Sequence, residues 1–486
     1  MRKEKNTVLM INPPIYDVQY WAYWNQPHGL LKLATMLKEK FNCNVLLLDC
    51  METNERRKVK KKKIPNNYKN PIRDKWCYGI TPDEVRKILL KYKEDKAQPD
   101  EVWITSIMTY WWESTRDIVE IVCEVLPNAI IRLGGIYPTL CPEHALKNIP
   151  AFSEIIKGEE LFKRLESKGI GYGNNTIVCG EVPEASDLKT DLSLYTSSET
   201  NLNPHTDYTV RYAILSASRG CPYNCSYCAQ KKINGPGRPR FRPAEDVVEE
   251  ILEKHRIFNI NQFAFYEDNL LFYKENFCRI LKKLIISGVR FELYAPEGVE
   301  PRALDLETLQ LMKKVGFQKI YLPLETVNPD TYKKWNRRHT GLDHFNEALS
   351  LCSKVGFSLR NQDVNAFVLF GVPGENLEEV ISTILYASSA VGSVIPMLFT
   401  PVPGSTIYQE YETYLTEILG YELHDLNGKL YPFMKFNGIT PSEYNDLERL
   451  MMALNTRVRG TSFDIFGRSD VSVEFRRLLL NNFVYV

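Results

Sequence analysis

Apolar positions in the first 150 residues alternate between two rhythms. Short, mainly apolar runs occupy Val8–Ile11, Val45–Asp49, Val102–Ser106 and Ala129–Leu133; between them, at about 29–40, 82–92 and 113–125, apolar residues recur every three or four positions. A short run of this kind reads as a strand covered on both faces, and the wider spacing as a helix with one buried side. The alternation predicts a βαβαβαβ unit, hence a doubly wound, Rossmann-like parallel sheet whose ligand would lie at the carboxyl ends of the strands. Asn12-Pro13-Pro14, Thr109 to Trp112, and Gly134-Gly135 all stand at such ends.

The pattern resumes further along. Strand-like runs at 212–217, 263–267, 291–295, 319–324, 366–370 and 394–399 alternate with helical stretches, so six βα units predict an open barrel with chemistry at the strand ends. GIGYGNN at 169–175 and SSETNLNPHTD at 197–207 read as linker. From PVPGSTIYQEY at 401 onward the sequence is helical and amphipathic. The expected organisation is thus a first domain over 1–165, a linker over 166–206, a barrel over 207–400 and a helical cap over 401–486. One basic insertion, ERRKVKKKKIPNNYKNP at 55–71, has no apolar period and reads as an exposed loop.

Composition narrows the function. The 486 residues carry a net charge of +1 with 25% charged side chains, which leaves no electrostatic footprint for nucleic acid. No stretch approaches the ~18 apolar residues of a membrane span, and the N-terminal apolar run is short for a signal peptide. Eleven cysteines, eight of them scattered at 43, 50, 77, 123, 141, 179, 278 and 352, form no regular disulfide framework, so a reducing cytoplasm is expected.

The other three cysteines are grouped. Ser218-Arg-Gly-Cys-Pro-Tyr-Asn-Cys-Ser-Tyr-Cys-Ala-Gln230 places Cys221, Cys225 and Cys228 in a C-x3-C-x2-C spacing. Zinc sites ordinarily show a fourth ligand and paired C-x2-C elements, and iron–sulfur clusters ordinarily take four cysteines. Three thiolates would leave one iron open to a small molecule. With Tyr227 before the last cysteine, the motif resembles that of the radical S-adenosylmethionine superfamily.

That resemblance implies a [4Fe-4S] cluster on Cys221, Cys225 and Cys228, S-adenosyl-L-methionine on its open iron, and a 5′-deoxyadenosyl radical that takes hydrogen from unactivated carbon. It also implies a partial (β/α)6 TIM-like barrel. The S-adenosylmethionine residues it points to are Tyr227, Glu267, Asp268, Glu297, Glu325 in LPLETVNPD, and Gly371 and Pro373 in GVPGE. Glu267 and Asp268 read equally well as solvated turn residues, and the GVPGE glycine as a plain turn.

The first 150 residues resemble a cobalamin-binding domain through INPP at 11–14, PHGLLKLATML at 27–37 and LGGIYPTLCPEHA at 133–145. The contacts implied are Asn12, Pro13, Thr109, Tyr110, Trp111, Gly134, Gly135, Tyr137 and Thr139; each also suits a tight turn or core packing. The chain lacks the D-x-H-x-x-G motif that supplies cobalt with a histidine, leaving His28 and His144 as substitutes. Together the two resemblances imply a methyltransferase that uses methylcobalamin as donor and a low-potential electron donor of the flavodoxin or ferredoxin type. Two alternatives stay open: a cobalamin-dependent radical enzyme that cyclises or rearranges without methylating, and a non-catalytic cobalamin or iron–sulfur sensor. Nothing in the sequence selects a substrate among small molecules, peptides and proteins.

Overall fold

The computed structural model describes residues 5–20, 24–52, 59–69, 73–96, 98–149, 154–156, 176–178, 189–234, 239–430 and 439–457. The first domain is a six-stranded parallel sheet in the order Asn44–Asp49, Thr7–Asn12, Glu101–Thr105, Ile130–Gly134, Glu154–Ile156 and Thr176–Val178. Val8, Leu9, Met10 and Ile11 are fully buried, as a run covered on both faces must be. Right-handed crossovers place helix His28–Glu39 on one face, and Pro82–Asp95 with Trp112–Val125, which pack together, on the other. Pro82 starts its helix behind a capping box in which Thr81 and Glu84 satisfy one another's backbone N–H groups. The strand order reverses between Thr7–Asn12 and Glu101–Thr105, and there the sheet splays its loops apart to make a ligand crevice.

The sheet reaches further than the sequence pattern. Its sixth strand, Thr176–Val178, lies inside the stretch expected to be linker, because three residues between glycines and asparagines show no measurable periodicity. At the opposite edge, residues 200–202 run beside Asn44–Asp49, with Leu47 N donating to Thr200 O at 2.8 Å and Leu202 N to Leu47 O at 2.8 Å. Residues 166–175 and 179–188 of the expected linker lie outside the described residues. The basic insertion also differs from a simple loop: Lys61–Lys63, Trp76–Tyr78 and Ile15–Asp17 form a small antiparallel sheet, and Tyr68 and Lys75 between them are buried.

The barrel consists of two three-stranded parallel sheets, Tyr212–Leu215, Gln262–Phe265 and Glu292–Tyr294, then Ile320–Glu325, Val364–Phe370 and Ser393–Leu398. A bridge from Leu293 to Phe317 joins them. Among the described residues no ladder joins the first strand to the sixth, so the barrel is open and has two free edges. Gln26 of the first domain covers one, accepting from Ile214 N at 3.0 Å and donating to Tyr212 O at 2.8 Å. Asn455 covers the other, accepting from Val394 N and donating to Val394 O, both at 2.8 Å. Each carboxamide imitates a peptide group on an unpaired strand. Beside Gln26, Trp24 packs among Ile214, Ala264, Tyr212 and Tyr294.

A buried charge cluster reinforces the junction. Arg242, Lys254 and Glu250 are buried together. Glu250 accepts from Arg242 Nη1 at 2.6 Å, from Thr190 N at 3.0 Å and from Lys254. The C-terminal region is helical where described: Thr406–Thr413, a π-turn at Tyr414–Ile418, and Pro441–Arg457. It clasps the basic insertion, with Arg73 on Glu448 at 2.9 Å and Lys69 N on Asp425 at 2.7 Å.

Burial opposes the charge on Glu250, but Lys254 and Arg242 overcome it and hold the carboxyl down at about 2. The folded value lies below the ordinary 4.5, so this stabilisation is complete above about pH 4.5 and is lost as pH falls towards 2. Replacing Glu250 by alanine strands two buried cations and is expected to lower stability by about 3–5 kcal/mol. Calorimetric melting of the variant against the parent protein checks this.

Candidate active site

The first barrel strand ends at Leu215, and the next residues bend into the cysteine loop. Ser218–Arg219 pairs antiparallel with Arg240–Phe241. Gly220 then turns at φ +91°, where a Cβ would crowd Pro239 at 3.3 Å. Cys221 and Cys225 are half-buried and Cys228 is exposed, all as free thiols. The loop is held from outside: Ser226 N donates to Trp335 O at 2.8 Å, and Ser226 O accepts from Ile407 N at 3.0 Å. Burial raises all three thiols, Cys228 to about 11, and their mutual repulsion adds to the shift of Cys221 and Cys228. Two donors face the sulfurs, Asn269 Nδ2 at 3.9 Å from Cys221 and Arg337 Nη1 at 4.0 Å from Cys225.

Among the described residues no three His, Cys, Asp or Glu side chains are gathered closely enough to hold a metal ion. The thiols border one another without meeting at a point. Three separated thiols with N–H donors aimed at sulfur fit a polynuclear cluster, whose sulfur ligands are stabilised by such hydrogen bonds.

Arg337 is the residue at this mouth that sequence reasoning missed. It is 7% exposed and donates from Nη1 to the Tyr227 hydroxyl at 3.2 Å. Its Nε and Nη2, the two nitrogens of one bidentate edge, are buried without a hydrogen-bond partner; the Glu300 carboxylate lies 3.8 Å from Nη2, too far for a hydrogen bond. A buried guanidinium with a free edge fits an incoming carboxylate. In the run Asn336-Arg337-Arg338-His339 nothing marks which arginine turns inward.

Glu325 lies opposite, hydrogen-bonded to Tyr227. Burial raises its carboxyl, and Arg337 partly offsets this. Its backbone sits at φ +64°, just past a register shift at Pro323; a non-glycine residue in this region costs about 1–3 kcal/mol, and the strand bends to carry the carboxylate to the barrel mouth. Glu297 is exposed at its own surface, yet burial raises its carboxyl, with Asp268 adding to the effect.

Glu267 and Asp268 are placed differently from the sequence expectation. Glu267 is buried, and both its oxygens are engaged by the chain: it accepts from Ala217 N, from Ser218 N at 2.9 Å and from the Ser218 hydroxyl. Asp268 accepts from Gly220 N and from Asn234 Nδ2 at 2.8 Å. Neither is a solvated turn residue. At the fifth strand end, Gly371 turns at φ +88° with Pro373 buried after it. Gly371 N and the Tyr444 hydroxyl both donate to Glu375 Oε1 at 2.6 Å, which fixes that turn to the C-terminal helix.

The first-domain candidates gather at the strand ends but divide into two sets. Asn12, beside the buried Pro13, is buried with its Nδ2 spent on Asp49 at 2.7 Å. Thr109 and Tyr137 are buried too, Tyr137 bonded to His144 Nδ1 at 2.8 Å. Trp111 is pinned through Nε1 to Asp17 at 2.8 Å, with the Tyr110 ring beside it. Thr139 turns back onto Gly135 O at 2.7 Å. Open space remains over Gly134, whereas a Cβ on Gly135, at φ +101°, would strike Ser106 O at 2.3 Å. Ile107 and Met108, large and exposed at the switch point, were not singled out from the sequence, although apolar residues in a predicted loop were the available signal. Each candidate histidine spends one ring nitrogen on the chain and keeps the other, His28 Nδ1 and His144 Nε2, buried without a hydrogen-bond partner. His28 Nε2 bonds to the Ser216 hydroxyl at 3.2 Å, and His144, lowered to about 4 by burial and then by His424, packs against Trp112.

The two sites adjoin. Helix Ile136–Leu140, which follows Gly135, packs on Gln230–Ile233, the turn of helix just after Cys228. Gly404 sits between Leu140 and Lys232, where a Cβ would meet Lys232 at 3.1 Å and Leu140 at 3.4 Å.

Comparison with known proteins agrees with this geometry. Residues 215–387 match the model of the radical SAM superfamily, and this part of the chain is a radical SAM domain. An uncharacterized methyltransferase of Pyrococcus horikoshii is 25% identical over 91% of this chain and 90% of its own length. The anaerobic magnesium-protoporphyrin IX monomethyl ester cyclase of Cereibacter sphaeroides is 24% identical over 75% of this chain and 61% of its own. The structure of TsrM, a radical S-adenosylmethionine methyltransferase from Kitasatospora setae solved with cobalamin and a [4Fe-4S] cluster, superposes with a TM-score of 0.61 at 16% identity, covering 85% of this chain and 79% of that one. This last likeness is one of fold, and it spans both domains.

The strain at Glu325 can be isolated. In cluster-free protein Glu325→Gly is expected to be more stable than Glu325→Ala by about 1–2 kcal/mol, because only the alanine keeps a Cβ in the left-handed region. Thermal melts of the two variants side by side check this.

Proposed function

We propose that the chain is a cobalamin-dependent radical S-adenosylmethionine methyltransferase. The observation that carries this reading is the shared wall between a three-thiol barrel loop and the strand ends of a doubly wound domain. When bound, the [4Fe-4S] cluster and S-adenosylmethionine supply radical activation of a substrate C–H bond, and cobalamin supplies the methyl group. Cys221, Cys225 and Cys228 hold the cluster. Arg337 takes the carboxylate of S-adenosylmethionine on its free edge, Glu325 with Tyr227 takes an ammonium or ribose hydroxyls, and the Gly371–Pro373 turn takes adenine. Ile107, Met108 and Tyr110, with the open space over Gly134, would hold the cobalamin.

A low-potential flavodoxin- or ferredoxin-type protein supplies the electron, and we place the enzyme in the cytoplasm. Among the described residues no helix is long and apolar enough to cross a membrane. The cyclase relative supports a second reading, a radical reaction without methylation.

Anaerobic reconstitution with iron, sulfide and cobalamin, followed by S-adenosylmethionine and a low-potential reductant, separates the readings. With a methyl acceptor present, methylation yields S-adenosylhomocysteine and 5′-deoxyadenosine in equal amounts. Cyclisation or rearrangement yields deoxyadenosine alone, and a sensor yields neither product. Alanine at Cys221, Cys225 or Cys228 is expected to abolish cluster assembly and deoxyadenosine formation while cobalamin, followed by its visible absorption, still binds. A cysteine variant that cleaves S-adenosylmethionine would overturn the cluster assignment.

A further inference from the structure

The five residues that lead into the cysteine loop, Ser216 to Gly220, are held by side chains from both domains. Lys32, on the first-domain helix His28–Glu39, donates from Nζ to the Ser216 hydroxyl at 2.6 Å, and His28 meets the same hydroxyl at 3.2 Å. Arg242 donates to Ser216 O at 3.1 Å, and its backbone N–H to Ala217 O at 2.8 Å. Glu267 accepts from the next two amides, Ala217 and Ser218, and from the Ser218 hydroxyl. Asp268 takes the amide of Gly220. Three of the four peptide units between Ser216 and Gly220, those joining 216 to 217, 217 to 218 and 219 to 220, are thereby held by charged side chains other than the three cysteines.

We infer that Glu267 and Lys32 are positioning residues for the iron–sulfur cluster, with Lys32 acting across the domain junction. This rests on the reading of Cys221, Cys225 and Cys228 as cluster ligands. Glu267 is suited to the task because a carboxylate offers acceptors on both oxygens, and the two amides with the hydroxyl present three donors to it. Glutamine has the same shape but one acceptor oxygen, so its NH2 would face an N–H or O–H. Burial raises the Glu267 carboxyl to about 7; the bonds from Ser218 and Ala217 oppose this, and Lys32 adds to them while holding Ser216, so the first domain sets where the loop starts. The clamp belongs to the protein without its cofactors and can be read before any cluster is loaded.

Hydrogen–deuterium exchange on the full-length, cluster-free protein is the first test. In Glu267→Gln the amides of residues 217 and 218 are expected to exchange faster by about tenfold, the loss of roughly one charged hydrogen bond. Lys32→Met is expected to loosen the same peptide to a lesser degree, and Lys32→Arg to restore it. After reconstitution, outer-shell changes of this kind cost about 10–100-fold in metal affinity or activity. Glu267→Gln should accordingly retain less iron and show a broadened cluster EPR signal, with cobalamin absorption unchanged. Should parent and variants exchange alike, and load iron with the same EPR spectrum, the clamp is refuted. Should the parent protein itself take up no cluster, the radical reading fails instead, whatever the exchange data show.

Discussion

An open barrel must do something with the peptide groups on its two unpaired edges. Here two carboxamides, Gln26 and Asn455, stand where neighbouring strands would stand, each making two hydrogen bonds with the strand backbone. Much of the architecture depends on the first of them. With Gln26 on Tyr212 and Ile214, and Trp24 wedged beside Tyr294, the helix beginning at His28 has little freedom. Lys32 and His28 then reach Ser216, and the strand ends of the first domain come against the turn that follows Cys228. Domain placement thus follows from hydrogen-bond accounting at a sheet edge.

The electrostatics of the barrel mouth suit a guest of mixed charge. Glu297, Glu300 and Glu325 line one side, and Arg337 stands among them with one edge unpaired. Burial raises Glu297 and Glu325, as it does the thiols. An oppositely charged partner would favour the ionised form that burial disfavours in each of them. A sulfonium carrying an ammonium and a carboxylate matches that arrangement better than a uniformly charged ligand would.

Much of this could be read from the chain. The strands were legible because a run buried on both faces has no polar positions to disguise it, and the cysteine loop because its three thiols lie within eight residues. What escaped lies where one residue does work that its neighbours do not announce. Arg337 looks like Arg338 until the helix Pro329–Lys334 turns it inward. Gln26 looks like a surface amide until the edge it covers is seen. Glu267 and Asp268 were recognised as important for their place at a strand end, yet their partners are backbone amides fifty residues away, and sequence carries no record of such pairings. The basic insertion misled for the opposite reason: its lysines do stay exposed, but Tyr68 and Lys75 sink beneath the C-terminal region, and their burial depends on residues near 425 and 448.

The placement of the two edge caps bears on how the protein is made. Gln26 leaves the ribosome before any strand of the barrel, whereas Asn455 follows only after the whole barrel has emerged. Since domains fold as they appear, the first edge can be sealed during translation while the sixth strand waits with its backbone exposed. The helix that brings Asn455 also brings Tyr444, which steadies Glu375 and the Gly371 turn. A nascent barrel therefore carries its cysteine loop well before the turn at Gly371 is steadied by Tyr444.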